Sequence, residues 1–208
     1  MKNACARPLL ALLLVLVFPP LLQARRGIKT LAWRKPAPPW EAKEFTLSAA
    51  EGGTEVRITF LPPGGRSAFF LAKTGVAADP FTNDVSTLTF QIEIENRSQR
   101  TLALEPAQFK LVGQQASDSP WSETEYMTKF HDLGASELDR MRKVYLTQRV
   151  ELPPGSKVNR LLVFDSFAMD SRHGFMLTAE NLPIGQRAGK ATAAFVMQVI
   201  TLKAVKGK

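Results

Sequence analysis

Residues 88–95, LTFQIEIE, alternate apolar and polar side chains without a break, which restricts this chain to a small set of folds. Leu88, Phe90, Ile92 and Ile94 occupy every second position. Successive side chains of a β-strand point to opposite faces, so this pattern predicts a strand that is buried on one face and solvated on the other. Such strands belong to antiparallel sheets, whereas strands of parallel sheets are apolar on both faces.

Short strands and turns are predicted along most of the remaining chain. In TEVRITFL, Val56, Ile58 and Phe60 share a face and follow a Gly-Gly turn. Further strands are predicted in VYLTQRVEL, KVNRLLVF, FMLTAENL and ATAAFVMQVITL. SAFFLAKTG fits a helix or a strand, and its Phe69, Phe70 and Leu71 are expected in the core in either case. Many short strands without regularly alternating helices favour an all-β sandwich.

A helical insert at about 121–143 interrupts the strands. Ser122 and Glu125 have the spacing of a capping box, and Trp121 is placed to pack onto Tyr126. Tyr126 and Phe130 lie one helical turn apart on the same face. A second short helix is predicted through residues 136–143, beginning near Ser136.

Two segments carry a resemblance to a known family. LTFQIEIENRSQRTLALEPAQFKLV and VELPPGSKVNRLLVFDSF resemble the telokin-like, immunoglobulin-like extracellular module of exported bacterial proteins. The resemblance covers roughly half of the chain after the leader. It implies an immunoglobulin-like antiparallel β-sandwich and an accessory or binding role without assigned chemistry. The chain departs from that pattern in the helical insert and in lacking a lipid-attachment cysteine.

The first residues have the layout of a secretory signal peptide. Basic Lys2 and Arg7 precede an apolar run that ends at Pro19-Pro20, and cleavage is expected after Ala24. An uncleaved anchor is the alternative, although the apolar run is shorter than a comfortable span of about 20 residues. The predicted organisation is a signal peptide at 1–24, a proline-rich extended arm at 25–42 and a β-sandwich domain at 43–208. A periplasmic or extracellular protein follows from this organisation.

Cysteine and charge limit the possible functions further. Cys5, the only cysteine, lies in the leader, which excludes disulfides and thiolate chemistry from the mature chain. Removal of the two basic leader residues lowers the formal net charge from +8 to +6. A basic exported protein favours anionic partners, although most of its basic residues are scattered along the chain. Export argues against nucleic acid.

Catalytic and metal-binding patterns are weak. Asp170, Ser171 and His173 are too close in sequence to converge as a catalytic triad. Glu93 and Glu95 share the solvated face of one strand, which favours a charged ladder over an acid–base pair. Asp165 and Asp170 flank a predicted loop, but their spacing matches no known calcium-binding loop. The sequence therefore predicts no enzyme, cofactor or metal site.

Methionines near the two histidines are candidate metal ligands. His131 with Met127, or His173 with Met176, would be copper ligands in a metal carrier. Together with Met197, these methionines are more simply expected to fill the core.

Recognition of a partner is the remaining hypothesis. The insert combines aromatic and basic residues, which suits an envelope protein or an anionic surface polymer. The predicted contact residues are Trp121, Tyr126, Phe130, Arg140, Arg142 and Lys143. The alternative is that the aromatic residues only cover one open end of the sandwich. The expected function is a non-catalytic, envelope-associated binding or accessory module. A hydrolase with loop carboxylates and a weak metal carrier are the alternatives.

Overall fold

The computed structural model describes residues 28–76, 87–113, 116–129, 134–165, 174–182, 184 and 192–202. In this part of the chain the strands form two five-stranded sheets and one two-stranded sheet, and all the pairs within these sheets are antiparallel. Three α-helices accompany them. The fold is therefore mostly β, as the alternating sequence predicts.

The first sheet joins the beginning and the end of the described chain. Its order is β1-β12-β11-β7-β8. Its strands are β1 (Ile28–Trp33), β7 (Phe109–Val112), β8 (Ser117–Asp118), β11 (Phe175–Glu180) and β12 (Thr192–Leu202). The start of the predicted arm is thus extended but hydrogen-bonded into the sheet, because β1 itself contains no proline to prevent pairing.

The second sheet contains the alternating strand, and a two-stranded sheet lies beside the core. The order of the second sheet is β10-β5-β4-β3-β2. Its strands are β2 (Glu41–Lys43), β3 (Thr46–Glu51), β4 (Thr54–Leu61), β5 (Thr87–Asn96) and β10 (Lys157–Asp165). The small sheet pairs β6 (Leu102–Leu104) with β9 (Val150–Leu152). The segment 144–152 is therefore only partly a strand, since Val144 ends a helix.

The main core lies between the two large sheets. The row Leu88, Phe90, Ile92 and Ile94 is buried, as predicted, and Trp33 packs on Phe90 with ring centroids 6.0 Å apart. Trp33 and Trp40 are both buried in this core. They anchor the proline-rich segment to the sheets, as its sequence suggested.

Three helices cover the outer face of the second sheet. They are α1 (Pro63–Thr74), α2 (Glu123–Lys129) and α3 (Ala135–Val144). A second apolar cluster fills the space between these helices and β10. It contains Phe70, Trp121, Tyr126, Met141, Val144, Tyr145, Leu161 and Val163. The apolar run of β10 is explained by this layer, because its residues alternate between the two cores.

The helical layer corrects two sequence-based expectations. Thr87 and Thr89 lie on the face of β5 that was predicted to be solvated, yet both are buried. The same buried region contains Arg66 of α1, whose Nη1 donates to Thr87 Oγ1 at 2.7 Å. Leu71, expected in the core, is exposed because α1 is a helix and turns this position outward. None of the described helices is long and apolar enough to cross a bilayer.

Candidate functional site

The helices of the insert begin where their local sequence allows capping. Ser122 and Glu125 form the predicted box: the Ser122 N–H donates to Glu125 Oε2, and the Glu125 N–H donates to Ser122 Oγ at 3.3 Å. The second helix begins at Ala135, one residue before the predicted start near Ser136. Gly134 precedes it, and the Gly134 N–H donates to Glu137 Oε2 at 2.9 Å.

The aromatic residues of the predicted contact surface lie inside the protein. Trp121 and Tyr126 are only 4% and 2% exposed. Their ring centroids are 5.4 Å apart in an edge-on arrangement, and Tyr126 also packs on Tyr145 at 5.1 Å. These rings pack α2 against β10 of the second sheet. Phe130 lies outside the described residues.

Arg142 joins the two helices of the insert. Its Nε and Nη2 donate to the two carboxylate oxygens of Glu123 at 3.0 and 2.6 Å, and its Nη1 lies 3.4 Å from Asp139 Oδ1. These hydrogen bonds lower the pKa of Glu123 and raise that of Arg142. The guanidinium is therefore engaged within the protein.

Arg140 and Lys143 differ from Arg142. They flank it on α3, and neither makes an ion pair with any residue that the structure describes. Arg140 is half-buried and Lys143 is exposed, whereas Met141 and Val144 of the same helix are buried. We call Arg140 and Lys143 the α3 cation pair. These are the two basic residues of the predicted contact surface that no carboxylate of the described residues engages.

Lys129 lies at the end of α2, beside the end of β10. Its Nζ stacks over the Trp121 ring, 3.9 Å from the centroid, and lies 3.8 Å from Asp165 Oδ1. The Asp165 N–H donates to Asp118 Oδ2 at 2.8 Å. Burial raises the pKa of Asp118, the hydrogen bond from Asp165 opposes that rise, and the Asp165 charge adds to it. Two acidic side chains therefore approach each other here, with one cation beside them.

The carboxylates of the outer sheet face form the charged ladder that the sequence predicted. Glu93 binds Lys157 Nζ at 2.7 Å, and Glu95 pairs with Arg97. The hydrogen bond from Arg97 lowers the pKa of Glu95. Both carboxylates are paired with cations. This arrangement is typical of a row of cross-strand ion pairs and not of a catalytic acid–base pair.

The sites proposed for a metal are only partly described. His131, Asp170 and His173 lie outside the described residues, and within the described ranges no three histidine, cysteine, aspartate or glutamate residues gather as metal ligands. Met197 is buried in the main core and Met176 is half-buried. Met127 is 49% exposed, because it projects from the outer side of α2, and its expected place in the core is wrong.

Sequence reasoning missed Arg160 of β10. This arginine lies between Val158 and Leu162, in the row of the strand that faces the main core. The available signal was a charged residue among the apolar residues that alternate on one face of β10. Using that signal required knowing which face of β10 is turned toward the core.

Comparison with known proteins gives weak likenesses. No family model matches the chain, and no curated protein matches it significantly. Among solved structures, the yjhA protein from Bacillus subtilis aligns with 12% identity and a TM-score of 0.38, over 75% of this chain and 96% of that one. A functionally unknown protein from Listeria monocytogenes aligns with 13% identity and a TM-score of 0.35, over 85% and 89% of the two chains.

A third solved structure is the "putative lipoprotein" ycdA from Bacillus subtilis. It aligns with 12% identity and a TM-score of 0.37, over 74% of this chain and 38% of that one. Likenesses at these scores carry no argument about the function of this chain.

Proposed function

We propose that this protein is an exported, non-catalytic accessory module that binds an anionic polymer of the cell envelope through the α3 cation pair. One observation carries the proposal. Arg140 and Lys143 have no counter-ion within the described residues, although Arg142 between them is held by Glu123. Their charges are available to an external anion.

The geometry of α3 supports this role. Arg140 and Lys143 are three residues apart, so their side chains emerge as neighbours on one side of the helix. Met141 and Val144 attach the helix to the second sheet, and Arg142 ties it to α2. The two cations therefore project from a supported element, which limits the entropy lost on binding.

Export and family membership are further parts of the proposal. The leader at 1–24 supports export, and the basic net charge suits an anionic partner. The segments that resemble the telokin-like module contribute β5, β7 and β10, all in antiparallel sheets. We include an immunoglobulin-like relationship on that ground. The hydrolase and metal-carrier alternatives remain predictions.

Binding to an immobilised sulfated polysaccharide, dextran sulfate, tests the proposal, with neutral dextran as the background. The parent protein is expected to bind dextran sulfate and to elute with salt. Arg140→Gln combined with Lys143→Gln should lower the affinity about fivefold, because two surface charges of about 0.5 kcal/mol each are lost.

A matched control removes the same charge elsewhere. Lys110 of β7 and Arg149, which pairs with Glu105, are both exposed, and changing both to Gln should leave the affinity nearly unchanged. Equal losses in the two double variants would show that only net charge matters, and would contradict a site on α3. If the parent protein binds no polymer but captures a partner protein, and the α3 variant loses that partner while the control variant keeps it, the ligand of the α3 cation pair is a protein.

A further inference from the structure

Arg160 places a positive charge at the edge of the main core. The register of β10 with β5 is unbroken from Lys157 to Asp165, so Arg160 shares the inward face with Val158 and Leu162. Its cross-strand partner is the buried Ile92. The side chain is half-buried, because β10 is an edge strand of its sheet.

This charge has no counter-ion among the described residues. The one hydrogen bond from its guanidinium runs from Nη1 to the backbone oxygen of the preceding residue, Asn159, at 3.2 Å. Burial alone lowers the pKa of Arg160, and no carboxylate opposes the shift. The guanidinium has five N–H donors, and Asn159 O is the one acceptor that it meets among the described residues. Partial burial of such a cation is unfavourable in free energy, and an arriving carboxylate would offset that penalty.

The outer edge of β10 is covered along only part of its length. Leu161 O accepts the Leu146 N–H at 2.8 Å, and Val163 O accepts the Trp121 N–H at 2.8 Å. Further along, the carboxylate of Asp118 takes the Asp165 N–H. All three covered positions are odd-numbered, so the odd-numbered residues direct their peptide groups away from β5.

The same alternation leaves the beginning of β10 open. Lys157 and Asn159 direct their peptide groups outward as well. Within the described ranges, these groups have no outer partner except the Arg160 guanidinium on Asn159 O. A short open edge therefore lies directly beside an uncompensated cation.

We propose that the open edge of β10 at 157–159 accepts an extended acidic peptide segment of a partner protein, with Arg160 as its anchor. The segment would add to the sheet through the peptide groups of Lys157 and Asn159. One of its carboxylates would take the Arg160 guanidinium in a two-pronged ion pair, which frees Asn159 O for the incoming strand. The direct contacts of this site are made by β10 and not by the α3 cation pair, so the proposal does not rest on polymer binding.

A positive neighbour supports an acidic partner. Tyr145 forms a parallel bridge with Leu161, which places the end of α3 beside the middle of β10. Lys143 precedes that bridge by two residues and makes no ion pair with the described residues. Its charge adds a long-range attraction for the same segment.

A purely protective role for Arg160 is the competing explanation. Inward-pointing charges on edge strands prevent sheets from pairing edge to edge. In that case, removing the charge would lead to self-association, and acidic peptides would have no preference for this edge.

The test is backbone amide NMR of the full protein purified after export, titrated with the hexapeptide Thr-Glu-Thr-Glu-Thr-Glu. The comparison probe is Thr-Gln-Thr-Gln-Thr-Gln, which has the same strand propensity without charge. We expect shifts at Lys157–Arg160 with the glutamate peptide, and about tenfold weaker binding of the glutamine peptide. Arg160→Met should bind the glutamate peptide only as weakly as the parent protein binds the glutamine peptide.

Arg149→Met is the matched control, since Arg149 is exposed and already paired with Glu105 and Glu151. It should leave peptide binding unchanged. If Arg160→Met fails to fold, Arg160→Lys replaces it and should bind between the two levels.

Three results would overturn the proposal. They are equal binding of the two peptides to the parent protein, shifts confined to other regions, and unchanged peptide binding by Arg160→Met. Self-association of Arg160→Met with no peptide binding by the parent would assign the protective role instead.

Discussion

The carboxylate of Asp118 accepts the backbone N–H of Asp165 at 2.8 Å and so ties β8, at the edge of the first sheet, to β10, at the edge of the second. Burial raises the pKa of Asp118, and the charges of Asp165 and Glu125 add to that effect. The folded protein therefore keeps the Asp118 proton to higher pH than the unfolded chain does. The resulting stabilisation is complete below the unfolded-state pKa and is lost as pH rises through the folded-state pKa.

Asp118→Asn should remove this pH dependence. The amide oxygen still accepts the Asp165 N–H, but no charge is buried. At pH 7 we expect the variant to be more stable than the parent, with a free energy of unfolding roughly 0.5 kcal/mol higher. The difference should vanish at acid pH. Urea unfolding between pH 3 and pH 8 measures both quantities. A variant less stable than the parent at pH 7 would show that the charged hydrogen bond outweighs burial.

Tyr126 and Met127 are neighbours with opposite environments. Tyr126→Ala should lower the free energy of unfolding by about 3–5 kcal/mol, because it leaves a cavity between α2 and the sheet. Met127→Ala should change it by less than about 0.5 kcal/mol, because the side chain is exposed. Thermal and urea unfolding of the two variants provide the comparison. Similar small effects would place Tyr126 outside a packed core.

The pairing of Glu123 with Arg142 should contribute measurably to stability. Its two hydrogen bonds predict a small stabilising coupling in a double-mutant cycle with Glu123→Gln and Arg142→Gln. The coupling should fall with added salt because the pair is partly exposed. A coupling of zero at low salt would mean that the helices are held by the apolar cluster alone.

Asn96 at the end of β5 organises the turn that follows. Its amide donates to the backbone oxygens of Arg100 and Leu152, both at 2.8 Å, and its Oδ1 accepts the Ser98 N–H at 3.0 Å. Asn96→Ala would remove the donor that satisfies the buried Leu152 oxygen, together with the bonds to Arg100 and Ser98, and should lower the free energy of unfolding by about 2–4 kcal/mol.

Ser98→Ala is the control for Asn96→Ala. It removes a hydroxyl bond but preserves the Asn96 amide bonds, so it should lower the free energy of unfolding by about 1 kcal/mol. Equal losses in the two variants would contradict a central role for Asn96.

Three strands of the second sheet, β4, β5 and β10, were predictable from the sequence because their signals are local. The alternation in β5 and in β4 fixes the inward face, and a turn with Gly155 in the left-handed region separates β9 from β10. The capping residues Ser122 and Glu125 likewise marked the start of α2. Each of these signals lies within a few residues of the structure it specifies.

The helical layer was not predictable in the same way, because nothing local shows which polar-looking strand face will be covered. Thr87 and Thr89 alternate with apolar residues as solvated positions would, yet α1 lies in the same buried region, where Arg66 binds Thr87. The burial of Trp121 and Tyr126 has the same origin. An aromatic residue at a helix start fits a recognition surface as well as a core, and only the tertiary contact with β10 decides.

The pairing of β1 with β12 has a consequence for the order of folding. Ile28 lies opposite Leu202, so the first described strand has its only described strand partner 174 residues away. Contacts between such distant segments form slowly, because the loop between them must close first. As the chain is synthesised, the first sheet cannot be completed until its last strand has been made. Until the residues of β12 have been made, β1 lacks the strand that completes its hydrogen bonds, so the edge of β11 and the inward face of Trp33 wait for the same late event.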